Sequence, residues 1–170
     1  EKSQDYSSSL SEKLSNIDQI NKSNRQKSKK IFENFITPSK RNTYLTNWCY
    51  DANSKFKWNV SKRSNSLKIQ YDKGFDIKVP WELSRLQSLS KICVWSLLNK
   101  KKPFYTFIKN QVFDFIASNP PSYGVNWFNA MEVAIRGANL CMITDILIQE
   151  NKLLPREKKI IYNSINDHIN

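Results

Sequence analysis

The stretch NPPSYGVNWFNAMEVAIRGANLCMITDILIQE, residues 119–150, decides how the rest of the chain is read. It opens on a rigid Pro-Pro, holds two of the chain's three glycines, and runs into a long segment that is apolar almost all round. The spacing predicts one helix from about residue 127 to residue 150, with Asn126 as its cap. Asn129, Glu132, Arg136 and Asn139 lie inside it and advance by three or four residues, so they share one face. Around them Met131, Ala134, Ile135, Ala138, Met142 and Ile146 are apolar. Glu132 and Arg136 stand at i, i+4 in the favourable order.

Two readings fit this polar stripe. In the first, Glu132 and Arg136 form an internal ion pair that holds two helices in register, with Glu82 or Arg85 as further partners. Such pairs are poor stabilisers, because desolvation cancels much of the Coulomb gain. In the second, the helix lines a polar ligand groove. Arg136 then forks onto a carboxylate or sulfate, and Glu132 fixes its rotamer.

The flanking segments are helical as well. PWELSRLQSLSKICVWSLLNKK, residues 80–101, places Pro80 in a first turn and acidic Glu82 near the N-terminus. Lys100, Lys101 and Lys102 follow at the C-terminus, a layout that complements the helix dipole. PFYTFIKNQVFDFIASN, residues 103–119, repeats apolar residues at 104, 107, 108, 112, 115 and 116, an amphipathic helix stopped by Pro120. The chain breaks at Leu154 and Pro155, and REKKIIYNSINDHIN starts another helix. Connections this short predict antiparallel neighbours, and the fold class is mainly α.

Upstream the pattern weakens. Residues 41–80 hold aromatics at irregular spacing and read as a long aromatic-pinned connection, with short strands near 67–70 and 76–79. Aromatics interleaved with basic residues suit stacking on sugars or bases. Within residues 1–40, Leu10, Leu14, Ile17 and Ile20 fit a helical period, and Ile31, Phe32 and Phe35 follow. The intervening NKSNRQKSKK has no apolar face and reads as a solvated turn or an exposed helix. The expected organisation is a polar lysine-rich segment over 1–40, an aromatic-rich irregular segment over 41–80, and helical hairpins over 81–170.

The bulk properties narrow the function classes. With 39% hydrophobic and 12% aromatic residues, the 170-residue chain can build a core. A net charge of +12 points to an anionic partner: nucleic acid, a membrane surface or an acidic polysaccharide. Residues 1–70 carry 14 basic against 6 acidic side chains, and residues 71–170 carry 13 against 9, so the excess lies mostly outside the best-patterned region. No apolar run is long enough to span a membrane, and the first residues show no secretion-signal pattern. Cys49, Cys93 and Cys141 have neither disulfide-framework nor zinc-site spacing. Cys93 and Cys141, in apolar helical stretches, read as small buried hydrophobes. His168 is the only histidine and reads as structural or exposed. No metal site, cofactor motif or nucleophile motif is present, and Glu82 and Glu132 offer the only acidic pair. No catalytic centre is assembled from these residues.

The segments YDKGFDIKVPWELSRLQSL and NPPSYGVNWFNAMEVAIRGAN together resemble the N-terminal region of heparinase II/III-type polysaccharide lyases. The branch they most resemble occurs among bacterial surface-polysaccharide genes. NWCYDANSKFKWN is similar to that branch's earlier segment, in which an acidic residue sits between tryptophans. The resemblance spans roughly residues 44–170 and keeps the motif order. It implies an incomplete (α/α) toroid, whose inner helices line a cleft for an acidic, uronate-containing polysaccharide, and a periplasmic or cell-envelope setting. It also implies β-elimination chemistry: a neutraliser for the carboxylate, a base for the C5 proton, and a tyrosine that protonates the leaving oxygen. The family residues that carry those roles come after the matched region, so no catalytic role is carried over and the chain alone is expected to be inactive. A cleft-lining role is implied for Asn126, Trp127, Glu132 and Arg136, with Trp81, Glu82 and Arg85 on the preceding matched helix. The alternatives are a non-catalytic basic helical module that binds an anionic polymer such as nucleic acid, and a scaffold in surface-polysaccharide assembly.

Overall fold

The computed structural model describes residues 6–36, 45–69, 74–100 and 103–170. The architecture is mainly α-helical. Helices α1 (Tyr6–Asp18) and α2 (Lys22–Phe35) precede a two-residue-per-strand antiparallel hairpin, β1 (Tyr50–Asp51) and β2 (Phe56–Lys57), which pairs Tyr50 with Lys57 and Asp51 with Phe56. The remainder is α3 (Lys78–Ser84), α4 (Gln87–Leu98), α5 (Tyr105–Ser118), α6 (Ala130–Gln149) and α7 (Pro155–Ile169).

Helix α5 is the most completely buried of the helices. From Val112 to Ala117 every side chain is buried, because α2 covers one flank and α4 another. The expected one-sided amphipathic helix is therefore largely enclosed, and two of its polar members, Asn110 and Asp114, are buried with it. Helix α6 packs between α4 and α7. The run NKSNRQKSKK, open between turn and helix, enters α2 at Lys22, where Asn21 Oδ1 accepts the Asn24 amide at 3.0 Å. The apolar end of that helix, Ile31, Phe32 and Phe35, anchors it on the core.

Several boundaries differ from the pattern-based expectation. The single helix expected from Pro80 is two, broken at Leu86, which adopts a left-handed conformation (φ 60°, ψ 17°). No glycine marks the break. Burial of the Leu86 side chain selects this conformation over its local cost of about 1–2 kcal/mol. Leu86→Gly should therefore relieve the strain yet lose a core leucine worth about 2–3 kcal/mol, for a net loss of about 1 kcal/mol in a urea titration. A stabilised variant would refute this account.

The strand expected near 76–79 is instead the entry to α3, and residues 67–69 form no strand; Gln70 lies outside the described residues, as do Lys101 and Lys102. The cap of α6 is Asn129, whose Oδ1 accepts the Met131 amide at 2.9 Å. Asn126 sits in a short 3₁₀ turn before it and is wholly buried. Cys93 is buried, but Cys141 faces outward on α6.

The orientation of α6 agrees with the first of the two readings, in which the polar stripe is internal. Its polar residues Glu132 and Arg136 face inward with Leu140, Ile143 and Leu147, while Met131, Ala134, Ala138 and Met142 face out. A helix apolar almost all round gives the core no preferred side by hydrophobicity. Paired charges and amides then decide which face goes in, because each needs partners that only neighbouring elements offer.

Candidate functional site

Two short rows of side chains build the site. Helix α3 presents Trp81, and the residue that caps its C-terminus is Arg85, one turn on. The turn before α6 presents Phe128, and the first turn of α6 presents Glu132; they meet Trp81 and Arg85 respectively. The Trp81 and Phe128 rings stack at 6.5 Å between centroids and 17° between planes. Arg85 forks onto Glu132, Nε to Oε2 at 2.6 Å and Nη2 to Oε1 at 2.7 Å. Trp81 is held from below by its Nε1–H, which donates to the Val125 carbonyl at 2.9 Å.

This geometry corrects the expected pairing. Glu132 bonds to Arg85 rather than to Arg136, its i+4 neighbour. Helical side chains lean toward the helix N-terminus, which carries Arg136 past Glu132 to the turn at residues 125–127. There Arg136 Nη2 donates to the Asn126 carbonyl at 2.8 Å, Nη1 makes a longer contact to Ser84 Oγ at 3.4 Å, and Nε donates to His168 Nε2 at 2.8 Å. Its guanidinium lies over the rings of Phe115 (4.8 Å) and Trp127 (5.2 Å). Arg136 is 0% exposed. Burial pulls its pKa down while nearby Glu132 raises it. The hydrogen bonds and aromatic faces around it keep the guanidinium charged at neutral pH. The Glu132 fork raises the pKa of Arg85.

Arg85, Glu132 and Arg136 together carry a net positive charge, and Arg85 is their accessible member, with 24% of its side chain exposed against 1% for Glu132. Among the described residues Arg85 Nη1 has no protein acceptor. The arrangement expected of Arg136, an arginine aimed by Glu132, is thus realised by Arg85. Phe128 beside it is 40% exposed, and Glu82 is exposed on α3. Of the remaining cleft candidates, Trp81 and Asn126 are buried and Trp127 is half-buried, its Nε1–H donating to the Asn119 carbonyl at 2.9 Å.

The same unit reaches the upstream motif. Asn126 Nδ2 donates to the Trp48 carbonyl at 3.0 Å and to Asn119 Oδ1 at 2.8 Å. Asp51, the acidic residue between the tryptophans, accepts from Ser54 Oγ at 2.5 Å and from the Asp76 amide at 3.0 Å. Those bonds, the Ser54 hydroxyl first, hold its carboxyl down at about 2. Asp51 is therefore a pin between the β1–β2 hairpin and the entry to α3.

Three members of this framework carry no recognisable pattern in the sequence. Asp114 sits within an apolar run, and a lone carboxylate there is the one available hint. It accepts from Lys13 Nζ (2.6 Å), Ser118 Oγ (2.9 Å), the Thr46 amide (2.7 Å) and Trp48 Nε1 (3.0 Å). Lys13, on α1, has no counterpart charge within helical reach in its own segment that would signal this partner. His168 is separated from Arg136 by a whole helical hairpin. Among the described residues no cluster of His, Cys, Asp and Glu has the form of a metal site, and no helix is long and apolar enough to cross a membrane.

Comparison of the chain with family models, with curated proteins and with solved structures returns no match.

Proposed function

We propose that this chain is the N-terminal helical portion of a polysaccharide lyase of the heparinase II/III type, an incomplete (α/α) toroid that holds an acidic, uronate-containing bacterial polysaccharide. The observation that carries the reading is convergence. Motifs near residues 48–58, 81–85 and 126–136, which resemble the family separately, meet in one hydrogen-bonded unit whose accessible edge is Arg85 beside Phe128. An arginine with its rotamer fixed, and with Nη1 unpaired among the described residues, suits a ligand carboxylate or sulfate. An exposed aromatic ring beside it suits the apolar face of a sugar. In this reading the buried residues Glu132, Arg136, Asn126 and Trp81 aim and support the edge, and Arg85, Phe128 and Glu82 meet the polymer. Elimination further requires a base and an acid. His168 is engaged by Arg136 and is not assigned either role, so the 170-residue chain binds without cleaving.

The test is isothermal titration with polygalacturonate and with heparin at low salt. Arg85→Lys keeps the ion pair to Glu132 but loses the second arm of the fork and the free Nη1 donors. It is expected to weaken binding about tenfold with the protein still folded. Phe128→Ala, at an exposed position, should weaken it several-fold. No binding by the parent chain, or unchanged affinity in both variants, defeats the proposal. Tighter binding to random duplex DNA, with steep salt dependence, would favour the nucleic-acid alternative. Ultraviolet absorbance of unsaturated uronates should not rise, and a steady rise would overturn the non-cleaving part.

A further inference from the structure

Gly137 and His168 mark a contact between α6 and α7 that the binding edge does not use. A Cβ placed at position 137 would lie 3.3 Å from the Cβ of His168, so the missing side chain lets the end of α7 settle directly on α6. The imidazole then bridges two elements. A backbone carbonyl can only accept, so the 2.6 Å contact between Nδ1 and the Ser164 carbonyl requires the proton on Nδ1. Nε2 is left with its lone pair, which accepts the Arg136 Nε–H at 2.8 Å. The ring also packs on Trp127 at 4.6 Å. Each contact is satisfied by the neutral ring in one tautomer, and the bond to Arg136 is lost on protonation.

We infer that His168 is an acid-released latch: the neutral ring fastens the C-terminal turns of α7 onto Arg136 of α6, and its protonation frees them. The charged groups around the ring are Arg136 from α6 and Asp167 from the adjacent position of α7. Lys27 of α2 is bonded to Asp167 at 3.1 Å. Arg136 opposes a second positive charge at contact distance, and Asp167 offers partial relief that Lys27 already draws on. Burial first, and then Arg136, hold the His168 pKa down at about 4. The sign follows directly. Above about pH 6.5 the ring is neutral in both folded and unfolded chains, and the latch is fully closed. Between about 6.5 and 4 the unfolded or undocked ring takes a proton that the docked ring refuses, so docking weakens steadily as pH falls. Below about 4 this group adds no further loss.

The inference is independent of the polysaccharide reading and is tested without ligand. Hydrogen exchange, expressed as protection factors, is followed at pH 7 and pH 4.5 for the parent chain and for His168→Gln, which can still accept from Arg136 but does not titrate. In the parent chain, protection over residues 164–169 should fall by roughly fiftyfold on acidification while α5 keeps its protection. The variant should show little change in either place. Equal loss in the variant, or simultaneous loss in α5 and α7, would overturn the latch. Because the chain has one histidine, its C2–H proton resonance gives a second measurement that needs no variant. A titration midpoint well below 6.5 is expected, and a midpoint at or above that value refutes the proposal.

Discussion

Asp114→Ala should be the most damaging single substitution in this chain, with an expected loss of about 3–5 kcal/mol in a urea or guanidinium titration. The carboxylate is buried within α5 and ties two other segments to it, besides bonding a residue of its own helix. Lys13 comes from α1, the Thr46 amide and Trp48 indole from the segment before β1, and Ser118 from the next turn of α5. Removing the carboxylate leaves the Lys13 ammonium in a buried position. Its pKa is already lowered by desolvation and kept up chiefly by Asp114. Among the described residues, Lys13 keeps the Thr46 carbonyl and Ser118 Oγ as acceptors. Asp114→Asn should be less severe, since its amide oxygen still accepts one or two of these donors. A double variant, Lys13→Met with Asp114→Leu, removes both charges and should recover part of the loss. Recovery should stay incomplete, because the Thr46 amide and Trp48 Nε1–H still lack an acceptor. A loss below about 1 kcal/mol in Asp114→Ala would show that the cluster contributes little.

Glu132→Gln is the second large effect expected, about 3 kcal/mol. Glu132 is the carboxylate between an arginine at the surface and another in the core, and it is itself buried. The amide keeps its shape and one acceptor. It neutralises the group that raises the pKa of both guanidinium groups. Arg85 can swing into water and recover its hydration, so its share of the cost is modest. Arg136 is confined by Phe115, Trp127 and the Asn126 carbonyl and cannot. The destabilisation should therefore persist at high salt, where a surface pair would be screened. A variant that unfolds at the parental denaturant concentration would mean that Arg136 is held by its neutral acceptors and aromatic faces alone.

Legibility of the fold followed the strength of the local signal. Helices α4 to α7 each contain a run of at least three turns with periodic apolar positions or a proline at the boundary, and their existence could be read directly. Pro155 at the first position of α7, with Glu157 reaching back to the Leu154 amide at 2.7 Å, is a local device with a local signature. The break at Leu86 has no such signature, because burial rather than a glycine or proline sustains its positive φ. Asn126 and Asn129 illustrate the same limit. Both are good caps three residues apart, and only packing of Asn126 against Trp48 and Asn119 removes it from the competition.

The candidate site was legible as a set of residues but not as a set of pairs. The polar stripe on α6 could be located to the residue, since helical spacing alone places positions 132, 136 and 139 on one face. Spacing also favoured the intrahelical partner for Glu132. The fork from Arg85 wins because two parallel charge-assisted bonds from a planar guanidinium outweigh one flexible i, i+4 contact. Asn139 follows the same rule, since its Nδ2 donates to the Arg85 carbonyl at 2.9 Å and its Oδ1 accepts from Ser90.

From its sequence alone this protein is committed to a mainly helical chain, to a core-forming second half, and to a polar stripe that some other element must satisfy. Those properties depend on residues within a turn or two of each other. Tertiary structure alone decided that α5 is more completely buried than α6 and that the stripe faces inward. It also gave Arg85 the exposed end of the charge cluster and set His168 against Arg136. Each of these is a choice among partners far apart in the chain. Burial settles it by desolvating every charge that lacks a partner, and no short-range pattern records which partner will be near.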